Sequence, residues 1–294
     1  MTAYLIASTI ITLIYVLLSL GLTLQYGLTG LINFGHVGFF AIGAYTSALL
    51  AFQGVPLVFT FMAAAVCAGI SAWPIGLISL RLRDDYFAVV TLGFSEVVRV
   101  VITSEQWLTN GVQGLPGIPR MYGGLSGMAA QAAVLATALS ATLAAVWIIS
   151  RIAHSPFGRV IQAIRDNEEA VQALGKEPAR FKIQVLAVGA ALAGLAGAFY
   201  AHYITYIVPD QFIPLITFYV WMAIIMGGAG RISGAVVGTV ILMLFLEGSR
   251  FLRDLLPGVS EVEMASARIG IVGLLLILFV IHRPQGLMGD YTKR

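Results

Sequence analysis

The first eighty residues of this chain contain no Asp, Glu, Lys or Arg, and Arg81 is the first charged side chain. A water-soluble domain carries about 25% charged residues, spread over its surface. Here only 11% of 294 residues are charged and 59% are hydrophobic. So long an uncharged stretch is stable in the hydrocarbon of a bilayer, where backbone polar groups must be satisfied within the protein. The apolar runs are continuous rather than alternating, so an all-α integral membrane protein is predicted. The 32 glycines agree with this, since packed membrane helices use small residues at their contacts.

Other classes are excluded on the same grounds. A net charge of +3 with scattered basic residues leaves no nucleic-acid footprint. The single cysteine, Cys67, precludes an intrachain disulfide. His36, His154, His202 and His282 form no ligand-spaced pair, so no metal site is predicted. The N-terminus lacks a basic n-region, and the apolar stretch from Ala3 to Leu24 exceeds a signal-peptide core, so it reads as the first span. No HExxH or GxSxG pattern occurs, so no catalytic residue is assigned and the chain is not read as an enzyme.

A helix crosses the hydrocarbon core with about 20 apolar residues. Candidate spans lie at 3–24, 36–53, 56–80, 86–103, 128–150, 183–207, 212–230, 233–250 and 267–283. The expectation is a polytopic bundle of about eight to nine transmembrane helices, forming one transmembrane domain over residues 1–294. The 86–103 segment contains Glu96 and Arg99, and 212–230 runs into Gly227-Gly228-Ala229-Gly230. Either is read as a full crossing or as a re-entrant or broken helix. The glycines between Gly27 and Gly35 mark a further break.

Sidedness follows from Lys and Arg in short loops. Six of the seventeen basic residues (Arg151, Arg159, Arg165, Lys176, Arg180 and Lys182) fall in 151–182, which is therefore placed in the cytoplasm. Arg81 and Arg83, Arg231, and the tail with Arg283, Lys293 and Arg294 fall on the same side. The N-terminus is then outside, the C-terminus cytoplasmic, and 104–127 and 251–266 are outer loops. With six glycines, Pro116 and Pro119, 104–127 reads as a docking or gating loop, or as a plain linker.

Two stretches echo each other. Gly35 and Gly43 precede Val55-Pro56, while Gly189 and Gly197 precede Val208-Pro209. Glu96 and Arg99 correspond to Glu247 and Arg250, offset by 151 residues. Paired spans run the same way in this topology, so the echo reads as a parallel internal repeat or as chance likeness of glycine-rich helices. An intramembrane charge costs about 2.5–3.5 kcal/mol, and pairing three residues apart offsets part of that. The two Glu/Arg pairs are read as gate elements or, because they sit late in outward spans, as neutralised bridges near the outer interface.

The cytoplasmic segment is the most informative. Ser155 can cap a helix that begins at Pro156, and Gly175 ends it. Apolar residues recur at Phe157, Val160, Ile161, Ile164, Val171 and Leu174. Asp166 with Glu169 can cap a second turn, giving one bent helix or two. Asp166, Glu168 and Glu169 on its polar side are unsuited to an anionic lipid surface and favour docking to a soluble partner. The chain has no GxxxxGK[ST] pattern, so ATP hydrolysis would belong to a separate polypeptide.

Several stretches stand out: Tyr26-Gly27-Leu28-Thr29-Gly30-Leu31-Ile32-Asn33-Phe34-Gly35-His36 through Tyr45, Asp85 to Phe94, Thr109-Asn110-Gly111 with Gly114, Gly158 to Gly175, Ala193 to Gly197, and Arg283-Pro284-Gln285-Gly286-Leu287; of these Pro156 to Gly175 and the 283–287 tail are specific, and the glycine-rich membrane stretches alone are weak. In these the chain resembles the LivM-type membrane subunits of branched-chain amino acid ABC transporters, over nearly its whole length. The resemblance implies a bacterial inner-membrane importer working by alternating access. Its partners would be a second, different permease subunit, two cytoplasmic ATPase subunits carrying ATP and Mg, and an extracytoplasmic solute-binding protein. No cofactor is implied for this chain itself. The same family includes importers of urea and short amides, and an ion-driven secondary transporter is the rival outside it.

The resemblance implies that Pro156, Phe157, Gly158, Arg159, Ala163, Arg165 and Glu168 form the ATPase contact. Gly30, Asn33 and His36 at the helix break, with Tyr45 and Tyr86 as apolar wall, are the candidate substrate path. His36 alone is also read as a packing histidine.

Overall fold

The computed structural model describes residues 2–79 and 84–252, together with 270, 271, 273, 274, 277, 278, 281, 282 and 285–288. The longer helices are α1 (Thr2–Leu22), α2 (His36–Phe52), α3 (Leu57–Ser79), α4 (Asp84–Ser104), α6 (Gly127–His154), α9 (Pro178–Ile204), α10 (Pro214–Gly227) and α11 (Ile232–Leu252). Short elements fill the loops: α5 (Gln106–Thr109), α7 (Pro156–Asp166), α8 (Glu168–Ala173), β1 (Leu115–Pro116) and β2 (Tyr206–Ile207).

Among the described residues, six helices are long and apolar enough to cross a membrane, and two shorter apolar helices, His36–Phe52 and Ile232–Gly248, accompany them. Eight of the nine expected spans thus coincide with a helix. The ninth, 267–283, and the outer loop 251–266 fall largely outside the described residues. The 86–103 segment forms an unbroken helix, α4, whereas 212–230 gives only the fourteen residues of α10.

Helix α3 shows why the bundle suits lipid. Val58, Phe59, Met62, Val66, Ile70, Trp73 and Leu77 are all exposed, at helical spacing. Thr60, Ala64, Ala68 and Ala72 on the opposite side are buried. Large apolar groups outward and small ones inward invert the pattern of a water-soluble helix. The small inner face lets α3 lie close against α9, where a Cβ on Gly194 would fall 2.5 Å from the Ala64 carbonyl and the Ala68 Cβ.

Helix α9 is the axis of the fold. Helix α2 runs beside it in the same direction, since His36 at its start and Gly189 both lie against Gly21, while further along Ser47 meets His202. A Cβ on Gly43 or Gly197 would collide with the opposing backbone. Two of the echoing glycines, Gly43 and Gly197, therefore lie at one shared contact between α2 and α9. Helix α11 runs antiparallel to α1, with Thr239 bonded to Ser19 at 2.7 Å and Tyr4 to Glu247 at 2.9 Å.

These contacts sort the loops to two ends. One end gathers Gly27, Gly30, α7 and Gly230. Gly286 joins them, lying against Gly228, while the Leu287 N–H donates to Met226 O at 2.9 Å. The other end holds α5, the β1–β2 pair and the 205–213 loop, with Leu115 opposite Ile207 and Pro116 opposite Tyr206.

Candidate functional site

The site begins where the first helix fails. Thr23 turns its hydroxyl back to Ser19 O at 2.7 Å, and the chain widens into a π-turn over Thr23–Gly27. Back-bonding of this kind weakens a helix, and π-turns collect at functional positions. The chain then runs without helix from Leu28 to Gly35, inside the bundle, before α2 begins at His36. The break expected from the glycines between Gly27 and Gly35 is present.

Backbone freed at membrane depth must find partners in the protein. Asn33 is fully buried; its Nδ2 donates to Gln25 Oε1 at 2.9 Å and its Oδ1 accepts from Gly35 N at 2.8 Å. Gln25 Nε2 in turn donates to Leu186 O on α9 at 3.1 Å. The Trp221 indole donates to Asn33 O at 3.0 Å, Phe34 N to Thr91 Oγ1 at 3.0 Å, and Val37 N to Thr217 Oγ1 at 2.9 Å. The broken segment is thereby tied to α4, α9 and α10 by short polar contacts. Tyr26, Phe34, Phe218 and Trp221 stack around it, with ring centroids 4.4–5.4 Å apart.

Two other sequence-chosen residues sit on α2. His36 Nε2 donates to Leu18 O at 3.1 Å, and its buried Nδ1 has no hydrogen-bond partner among the described residues. The Tyr45 hydroxyl is likewise buried and unpartnered, with its ring 5.8 Å from that of Phe212. Buried polar atoms without partners are uncommon and call for an explanation. Tyr86 does not join them within this chain: it is 63% exposed on α4. Helix position explains this, because Phe87 and Ala88 occupy the inward face of that turn.

At the same end of the bundle lie α7 and α8, two helices rather than one bent one. Ser155 caps α7, its Oγ accepting from Gly158 N at 3.1 Å, and Pro156 is the first helical residue. The cap of α8 is Asn167, which accepts from Ala170 N at 3.0 Å, and not Asp166 as expected. Asp166 instead binds its neighbour Arg165, at 3.0 Å. Each cap satisfies a backbone donor that the helix leaves open, at about 1 kcal/mol. Ser155→Ala or Asn167→Ala is expected to speed amide exchange over 156–173 by roughly fivefold, read by hydrogen–deuterium exchange, while the long helices keep their protection.

The seven residues singled out on this element divide into two groups. Pro156, Arg159 and Ala163 face outward and are exposed. Four turn inward. Gly158 is buried where a Cβ would strike the Ile152 and Ala153 carbonyls at the end of α6, so it packs closely against that helix. Phe157 stacks on Phe181 at 5.5 Å, and Glu168 accepts from Lys182 at 2.7 Å, fastening α7 and α8 to the start of α9. Arg165 Nη1 donates to Gly27 O at 2.7 Å, while the Arg165 stem passes Gly30. Leu174, 79% exposed, extends the outward surface with an apolar residue.

The opposite end is latched. His202 Nδ1 lies 2.7 Å from Pro119 O, and its Nε2 lies 2.8 Å from Ser47 Oγ. A carbonyl only accepts, so Nδ1 carries the proton and Nε2 accepts from the serine. This joins the 104–127 loop to α9 and α2. Glu96 and Arg99 pair at 2.7 Å as expected, and Arg99 also reaches Asp210 at 3.8 Å. Glu247 is bonded by the Tyr4 phenol, a partner 243 residues away that no local pattern signals. The side chain of Arg250, its expected partner, lies outside the described residues.

Comparison with known proteins fits this arrangement of a broken first helix, an amphipathic connector and a multi-helix bundle. The family described as the permease component of branched-chain amino acid transport systems matches residues 4–280. The high-affinity branched-chain amino acid transport system permease protein LivM of Escherichia coli (strain K12) is 31% identical over 95% of this chain and 68% of its own length. The probable LivM of Methanocaldococcus jannaschii is 25% identical over 94% of this chain and 91% of its own, and E. coli LivH 24% over the same shares. No solved structure matches the chain. A family model that spans nearly the whole bundle, from the first helix past α11, places this chain in the permease family of branched-chain amino acid transport systems.

Proposed function

We propose that this chain is one of two unlike permease subunits of an ABC importer for branched-chain amino acids, in a bacterial inner membrane. The relatives' names support the substrate class, and the likeness to both LivM and LivH supports a second, related permease as partner. Two ATPase subunits, holding ATP and Mg, sit beneath α7 and α8. A solute-binding protein delivers substrate to the opposite end, where the 104–127 loop is pinned. On this reading the N-terminus is outside, the C-terminus is cytoplasmic, nine helices cross, and the α2 and α9 regions belong to two halves of a parallel repeat.

The observation that carries the mechanism is the bond from Arg165 to Gly27 O. The outward residues Pro156, Arg159 and Ala163 meet the ATPase, and the inward guanidinium touches the carbonyl where the first helix breaks. A carbonyl at a helix break is an unpaired acceptor, and a guanidinium satisfies it with a charge-assisted bond. Movement of α7 on nucleotide binding is thus passed directly to the segment that holds Asn33 and His36. A ligand that binds one arrangement of that segment better than another shifts the balance between them. The unpartnered His36 Nδ1 and Tyr45 hydroxyl are the groups a polar solute would meet when that segment opens.

The reading is tested with the complete complex in lipid vesicles. ATP inside the compartment that contains the ATPase subunits is expected to drive concentrative leucine uptake, dependent on the binding protein. Uptake that persists with the ATPase subunits removed overturns it, and uptake of urea in place of leucine overturns the substrate class.

A further inference from the structure

Helix α4 carries a charge pair at a depth where a helix facing lipid carries none. Exposed Asp85 and Glu105 bracket it, twenty residues and about 30 Å apart, the thickness of the hydrocarbon core. Glu96 lies between them, about 14 Å along the axis from Glu105, farther than a glutamate side chain reaches toward water. Its side chain is 37% exposed and that of Arg99 31%. Arg99 donates from Nε at 3.0 Å and from Nη2 at 2.7 Å, both times to Glu96 Oε2. Glu96 Oε1 accepts from no described residue, and Arg99 Nη1 stops 3.8 Å from Asp210. A half-exposed carboxylate oxygen at membrane depth finds no donor among lipid tails, whereas another protein surface supplies one.

The face beside this pair also differs from that of α3. Tyr86, Val89, Gly93, Val97 and Val100 line it at helical spacing, and all five are exposed. A Cβ on Gly93 has nothing within 4 Å, so a notch stands open halfway along the face. On α3 the outward residues are large, Phe59, Met62, Ile70 and Trp73 among them. A small residue on a membrane helix lets a neighbouring helix seat against it.

We infer that this face of α4 receives the second permease subunit, with a side chain of that subunit seated at Gly93 and a donor from it on Glu96 Oε1. The inference rests on the two-permease importer reading and gives the partner its place on this chain. A partner related in sequence brings a comparable helix, and two such helices meet across an approximate two-fold axis. Tyr86, turned away from its own bundle, then stands at the joint between the subunits. Lipid and a second copy of this chain are the rival neighbours, and the experiment separates all three.

The complete complex is formed in vesicles with an affinity tag on the second permease, and co-purification of the unaltered chain is measured first. If no second permease associates, the importer reading fails and this inference with it. Val97 is then replaced by the photocrosslinking residue p-benzoylphenylalanine, and Ile70 on α3 is replaced likewise. Illumination is expected to join the Val97 variant to the second permease, giving a product with the summed mass of both subunits by mass spectrometry. The Ile70 variant is expected to give lipid adducts and at least tenfold less of that product. Gly93→Trp fills the notch and is expected to cut the co-purified second permease at least tenfold, whereas Ile70→Trp leaves it unchanged. The crosslink at 97 decides the matter even if Gly93→Trp does not fold.

A product of the two unlike subunits at 97 and not at 70 supports the inference. Lipid adducts alone at 97, a product of twice this chain's mass, or joining through 70 in place of 97 overturns it and leaves the importer reading standing. Full retention of the second permease by folded Gly93→Trp overturns it as well.

Discussion

Arg165→Met is expected to lower ATP-driven leucine uptake by tenfold to a hundredfold while the ATPase subunits remain bound and continue to hydrolyse ATP. Methionine keeps the length and the apolar stem that passes Gly30, so α7 retains its packing. What is lost is the donor to Gly27 O, at 2.7 Å. A hydrogen bond to a charged group contributes about 1.5–3 kcal/mol, which is ten- to over a hundredfold in an equilibrium between two arrangements. Arg165→Lys is expected to recover part of the loss. A single ammonium cannot span both Asp166 and Gly27 as the fork of a guanidinium does. The measurement is the ratio of leucine transported to ATP hydrolysed in vesicles. An unchanged ratio in Arg165→Met would show that α7 acts on the bundle by some other contact.

Gly197→Val is expected to have the largest effect on folding. Helices α2 and α9 approach until backbone meets backbone, and any Cβ at 197 collides with the Phe40 carbonyl, which has no rotamer to yield. Overpacking against side chains costs about 1–3 kcal/mol, and against fixed backbone the cost exceeds that range. The expected outcome is loss of the folded protein from the membrane, or a fall of at least ten degrees or so in its thermal midpoint, by scanning fluorimetry in detergent. Gly93→Ala on α4 is the contrasting case. Nothing lies within 4 Å of a Cβ there, so the change is expected to leave the midpoint level or raise it slightly. Equal losses at both glycines would mean that close approach is not what Gly197 provides.

Most of the helices could be read from the chain because lipid imposes a local rule, about twenty apolar residues in a row, that needs no knowledge of neighbours. The break before His36 was legible for a similar reason: Gly27, Gly30 and Gly35 occur within nine residues. Ser155 and Pro156 announced the start of α7 by short-range cap chemistry. Contacts across the fold left no such trace. Arg165 meets Gly27 over 138 residues, and Tyr4 meets Glu247 over 243. That Gly158 packs inward was not legible either, because only the turn back of α7 onto the end of α6 puts it inside. Which face of α4 Tyr86 occupies was likewise not legible, since adjacent residues on a helix point about 100° apart and its neighbour Phe87 is the buried one.

Helix α9 has one more implication. Its 27 residues span about 40 Å as a continuous rod. At one tip Lys182 and Phe181 are clamped by the connector helices, and at the other His202 holds the Pro119 carbonyl. A stiff rod gripped at both tips acts as a lever arm, with its fulcrum where Gly194 and Gly197 bear on α3 and α2. With about 10 Å of helix beyond the fulcrum, a tilt of a few degrees imposed at one tip becomes a displacement of about one ångström or less at the latch. On the importer reading, opening on one face and release on the other are two ends of a single motion, with no relay of separate events between them.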